Sequence, residues 1–72
     1  MINTYIVPVS DGNSVWIETV KAKDYNDSLE KFIEYFSRKF EIEDYFDDWE
    51  DFQDELSYKD IIFGEVKDIE EL

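Results

Sequence analysis

The sequence predicts an α+β domain of order β-β-α-α-β, a three-stranded, mostly antiparallel sheet with two helices on one face. Three observations carry that reading. A β-branched and aromatic stretch near the N-terminus is split by a turn signal, two stretches with helical apolar spacing follow, and a short apolar run comes after them. Seventy-two residues make one domain, 1–72. A chain of this size buries only about 60–65% of its unfolded surface, so each large apolar residue matters to stability.

Residues 2–22 read as a hairpin. INTYIVPV is rich in strand formers, although Pro8 cannot donate to a ladder and so points to a strand end or a sheet edge. Ser10-Asp11-Gly12-Asn13 is a turn signal in which Gly12 or Asn13 takes positive φ. In the second strand Trp16, Val20 and Ala22 share one face, and Val15 and Ile17 the other. Both faces are apolar, so the pattern leaves the buried one open. A helix over 25–40 follows, with Asp24 as N-cap and Tyr25, Leu29, Phe32, Ile33, Phe36 and Phe40 along one face. Asp27 and Glu30 sit at its positive end, Arg38 and Lys39 at its negative end.

A second helix is predicted over 44–58 from the 3-4-3-4 spacing of Ile42, Tyr45, Trp49, Phe52 and Leu56, widened by Phe46. No glycine or proline separates the two helices; the junction near 41–44 rests on a shift of phase alone. Residues 60–68 read as the third strand, with Gly64 a bulge or a site of close approach, and 69–72 as a frayed tail.

Composition narrows the chemistry. With no cysteine and no histidine, the chain has no disulfide, no thiolate or imidazole ligand and no usual nucleophile–base pair. It has no glycine-rich phosphate loop, and an EF-hand register fails from Asp44, where Phe46 and Trp49 fall at positions that need an oxygen donor and a glycine. The expectation is therefore no enzyme, no cofactor and no metal site. No apolar run approaches the ~20 residues of a membrane span, and MINTYIVPVS does not read as a secretory signal, so a soluble intracellular protein is expected.

Net charge is −13 and unevenly placed: residues 1–40 carry six acids and five bases, residues 41–72 fourteen acids and two bases. Such a surface repels nucleic acid and anionic lipid and attracts basic surfaces, so neither direct nucleic-acid binding nor membrane binding is expected. Nine of the fifteen residues in 41–55 are acidic and none is basic. A fully helical segment of that length, ~22 Å, would carry a charge every ~2.5 Å, within a factor of two of duplex DNA at one phosphate per ~1.7 Å. On such a helix Glu43, Asp47, Glu50 and Asp54 form one row and Asp44, Asp48, Asp51 and Glu55 a second. These eight are the candidate partner-binding residues. Their like-charge pairs cost a few tenths of a kcal/mol each, which burial of Tyr45, Trp49 and Phe52 would offset.

EIEDYFDDWEDFQDE, in a chain with no catalytic residue set, resembles the small acidic proteins that bacteriophages and mobile elements use against host defence, the anti-restriction and anti-CRISPR DNA mimics. The resemblance is one of size and composition over about a fifth of the chain. It implies a stoichiometric inhibitor in the bacterial cytoplasm that occupies the basic, nucleic-acid-binding surface of a nuclease complex, a CRISPR effector first among them. A different class is an interaction or assembly module, monomer or homodimer, with Trp16, Phe46 and Phe63 as its apolar patch. A regulator of a metabolic or toxin–antitoxin partner is a third.

Overall fold

The computed structural model describes residues 2–71. Its elements are β1 (Asn3–Ser10), β2 (Val15–Ala22), α1 (Tyr25–Lys39), α2 (Trp49–Ser57), β3 (Ile62–Phe63), β4 (Lys67–Asp68) and a closing 3-10 turn, Ile69–Glu71. The fold is α+β with an open antiparallel sheet, in the order predicted. β1 is central: β2 pairs along its whole length on one side, and β3 and β4 share the other.

The hairpin turn is fixed by Asp11, whose carboxylate accepts the amides of Asn13 (2.9 Å) and Ser14 (2.8 Å), while Gly12 alone takes positive φ, at 93°. Those two amides hold the Asp11 carboxyl below the usual carboxylate range. Of the two apolar faces of β2, the one bearing Trp16, Val20 and Ala22 turns inward; Val15 and Ile17 are 75% and 59% exposed.

The strand predicted over 60–68 is instead two short pieces with a bulge between them. Val9 pairs with Phe63 and Ile6 with Lys67, so Gly64, Glu65 and Val66 stand opposite only Val7 and Pro8. The extra residue resets the alternation, and Val66 rather than Glu65 faces the core. Pro8 explains the position. Its carbonyl accepts the Gly64 amide at 2.8 Å, so its missing donor points to the same side and leaves the partner segment without a full ladder there. Pro8 therefore lies within the central strand, not at a sheet edge, because the break falls where its donor is absent. A Cβ on Gly64 would sit 2.9 Å from Pro8 Cγ, which is why glycine occupies this crossing.

α1 forms as predicted. Asp24 Oδ1 accepts the Asp27 amide (2.8 Å), and Asp27 in turn accepts the Lys23 amide (3.0 Å) and pairs with Lys31 (3.3 Å). It ends in a Schellman motif, with Ile42 N–H bonded to Ser37 C=O and Glu41 N–H to Arg38 C=O. The left-handed residue is Glu41, φ 56°, where glycine is usual. The same device closes α2, with Ile61 bonded to Leu56, Asp60 to Ser57, and Asp60 at φ 64°.

The core lies between the sheet and the helices. Tyr5, Val7 and Val9 of β1 and Ala22 of β2 meet Phe32, Ile33 and Phe36 of α1, Trp49, Phe52 and Leu56 of α2, and Ile61, Phe63 and Val66. Phe63 is its junction, with ring centroids 4.7 Å from Phe36, 5.1 Å from Trp49 and 6.1 Å from Phe52. It is buried, and so no part of an exposed patch; Trp16 and Phe46 are half-buried and pack against the same core.

Two substitutions test the backbone account by chemical denaturation. Glu41→Gly relieves the left-handed conformation and is expected to stabilise by roughly 0.5–1 kcal/mol. Gly64→Ala presses a methyl group onto the Pro8 ring and is expected to cost about 1–3 kcal/mol. A third test is acid titration. The Lys23 amide, with Lys31 beside it, lowers the Asp27 carboxyl below its unfolded 3.8. Its contribution is thus complete above about that pH and lost as pH falls through the folded value. Asp27→Asn should be less stable at neutral pH and should lose less of its remaining stability below pH ~4 than the parent.

Candidate partner-binding surface

The acidic segment folds differently from the single rod of the sequence reading. Residues 44–48 are not helical, and α2 begins only at Trp49. Asp48 is its N-cap, in an extended conformation (φ −121°, ψ 125°) with its carboxylate accepting the Glu50 amide at 2.9 Å. Ordinary helix chemistry explains the late start. Aspartates compete with helix by bonding local amides, and a helix through 41–55 would stack like charges at i, i+4 in every turn. Trp49, Phe52 and Leu56 alone, at offsets 0, 3 and 7, supply the buried stripe.

The nine-residue helix is ~13 Å long, so the two continuous rows of four carboxylates do not form. Glu50, Asp51, Asp54 and Glu55 lie on the half of α2 opposite its buried stripe, in two i, i+4 pairs, and Asp48 caps its start. Glu43, Asp44 and Asp47 lie on the preceding loop. Seven of the eight predicted residues are exposed and Glu55 is half-exposed. That loop is pinned by Ile42 and Phe46, which pack on the core, the Phe46 ring edge-on to Phe52 at 5.7 Å. Tyr45, placed by periodicity on the buried stripe, is 88% exposed among the acids. With the loop non-helical, helical spacing no longer decides which way its side chain points. Tyr58, just past α2, is 87% exposed. Tyr58 lies off the stripe of Trp49, Phe52 and Leu56, whereas no pattern in the sequence separates Tyr45 from the buried aromatics.

Loop 43–47 and the outer side of α1 enclose a shallow open groove lined by Glu30, Glu34, Arg38, Asp44, Tyr45 and Asp47, among others. The one cation there, Arg38, is bonded to Glu34 at 2.6 Å and is itself 80% exposed. Among the described residues the two side-chain ion pairs are Lys31–Asp27 and Arg38–Glu34, both within α1. Among the described residues none of the eight candidate acids has a cationic partner within 4.0 Å, so no described side chain neutralises their charge. Among the described residues no three acidic side chains are grouped as a metal site, and no helix is long and apolar enough to cross a membrane.

The charge is also one-sided. α1 packs along β2 and α2 along β3, with β1 between. The described residues of 1–40, a stretch of net −1, therefore build one side of the domain together with the central strand, and those of 41–72, a stretch of net −12, build the other.

Asp48 is thus both a candidate contact and a structural cap. Asp48→Ala should cost about 1 kcal/mol in equilibrium unfolding, whereas Asp44→Ala on the loop should change stability by less than about 0.5 kcal/mol. Comparison with protein-family models, with curated proteins and with solved structures finds no match for this chain.

Proposed function

We propose that this protein is a non-enzymatic inhibitor whose acidic loop and helix occupy the basic, nucleic-acid-binding site of a partner protein. The observation that carries the reading is the run of carboxylates from Glu43 to Glu55, with no cation in the run and, among the described residues, none ion-paired to it: Arg38, the one cation bordering the loop, is paired to Glu34. A fold whose side-chain ion pairs, among the described residues, both lie elsewhere carries a standing cost in self-repulsion along this segment. A groove of arginine and lysine shaped for phosphates supplies the missing counter-charge. Loop and short helix together present the acids as a curved patch, which suits a concave site better than a straight rod would.

Glu50, Asp51, Asp54 and Glu55 are the proposed contacts from the helix, and Glu43, Asp44, Asp47 and Asp48 those from the loop. Tyr45 adds an exposed aromatic at the centre of the loop acids, the residue type that most often anchors an interface. Size, acidity and the lack of a nucleophile–base set resemble those of phage-encoded inhibitors. On that resemblance we assign the partner to the host-defence nucleases, and among them to a CRISPR effector. The inhibition is then competitive with DNA.

The test separates binding from stability. Asp54→Lys with Glu55→Lys places lysines in the last turn of α2, at i+4 from Glu50 and Asp51, and should stabilise the helix by about 0.5–1 kcal/mol. The same pair should weaken binding to the effector by about 30-fold or more, roughly 2 kcal/mol for two contacts reversed. Affinity of the parent should fall steeply with salt, and duplex DNA should displace it. Binding that ignores salt, or a double variant that inhibits DNA cleavage as well as the parent, would refute the proposal.

A further inference from the structure

The side of the sheet away from the acids ends in an open strand. The Pro8 carbonyl faces β3, so alternate residues of β1 point their amides and carbonyls toward β2 from Asn3, Tyr5, Val7 and Val9. Their partners are Ala22, Val20, Glu18 and Trp16. The backbone groups of Val15, Ile17, Thr19 and Lys21 therefore point outward. One of them confirms the phase: the Lys21 carbonyl accepts Lys31 Nζ at 3.0 Å, from outside the sheet. Among the described residues nothing pairs with Val15, Ile17 or Thr19 on that edge.

Sheet edges are normally blunted by proline, by a bulge, by lysine or by a covering element. Over 15–19 this edge has no proline, bulge, lysine or covering element; its one charge, Glu18, turns to the helix-covered face, where it accepts hydrogen bonds from Trp16 Nε1 (2.8 Å) and the Tyr35 hydroxyl (3.2 Å). The edge keeps an unbroken register with β1, and its outward residues carry β-branched side chains on the open face of the sheet, Val15 at 75% and Ile17 at 59% exposure. Lysine begins only at Lys21, where the carbonyl is already capped.

We propose that β2 pairs antiparallel with β2 of a second copy of this chain, on a two-fold axis through Ile17. In that register Ile17 faces its own copy and Val15 faces Thr19, and the three outward residues of each strand exchange six hydrogen bonds. On the open face the side chains opposed across the join are all β-branched, a favourable cross-strand set, and on the helix-covered face Trp16 stands opposite Glu18 of the second copy. Charge selects a second copy as the occupant. The flank beside the edge is of mixed sign, with Lys31 on Asp27 and Arg38 on Glu34, and the half of the chain that builds it is close to neutral. Edge-to-edge pairing joins the two near-neutral sides into one continuous sheet and leaves both acidic sides at its far ends. Pairing through β3 or α2 would bring two net −12 surfaces together. The contact is small, so the dimer is concentration-dependent rather than obligate.

Sedimentation equilibrium from micromolar to millimolar chain tests it. The mass should rise from 8.7 kDa toward twice that value, and at lower concentration when salt is added, because screening weakens the repulsion between two chains of −13. Hydrogen exchange on the concentrated protein should protect the Val15, Ile17 and Thr19 amides, which exchange freely when dilute. Thr19→Pro removes an outward donor that β1 does not use, and Ile17→Lys places two lysines on the axis. Each should weaken association at least tenfold while leaving the aromatic circular dichroism unchanged. A chain that stays monomeric at every concentration overturns the proposal. So does a dimer that survives Ile17→Lys, or one whose β2 edge amides remain unprotected.

Discussion

Phe63 packs at once against Phe36 of α1 and against Trp49 and Phe52 of α2, and through its strand it is paired to Val9 in the centre of the sheet. In a 72-residue chain that single side chain joins every layer of the fold. Its placement depends on the backbone just after it. The bulge opposite Pro8 lets Phe63 and Val66 both face inward, although three residues apart they would fall on opposite faces of an unbroken strand. Gly64 permits the bulge because its backbone passes directly over the Pro8 ring. Loss of a donor in one strand thus decides which residues of another form the core.

Much of this was readable in the residues, and the failures have specific causes. α1 combined a wide apolar face, a competent cap and charges matched to its dipole, and the local signals agreed. The Pro8–Gly64 relation was half-visible: each residue signalled irregularity, but only the pairing showed that the two irregularities meet. The acidic segment misled because periodicity constrains a helix only where the side chains are buried. Trp49, Phe52 and Leu56 are buried and obeyed it; Tyr45 fitted the spacing and points to solvent. The end of α1 carried its basic last turn but no glycine signal, since the left-handed position is filled by Glu41. The eight acids were identified as exposed and one-signed from composition, while their division between loop and helix needed the cap at Asp48.

The distribution of ion pairs says where the stability of the domain comes from. Among the described residues both lie on α1 at i, i+4 spacing; Arg38, Glu34 and Lys31 are exposed and Asp27 is half-buried. Pairs of that kind contribute at most about 1 kcal/mol. The acidic half, with no such pair among the described residues, is held by apolar packing and by the pairing of β3 and β4 to β1, and its helix keeps three residues buried out of nine. Here the electrostatics of the surface and the cohesion of the core work against each other.

With nearly all the net charge on the side built by α2 and β3, the centre of charge is displaced from the centre of mass. A molecule of that kind carries a large permanent dipole moment. In the field of a cationic target it experiences a torque before it experiences contact, and rotational diffusion becomes biased while the two are still separated by water. Arrival is then oriented, acidic side leading and the β2 edge trailing, so the geometry of first encounter is set by the asymmetry of the chain itself.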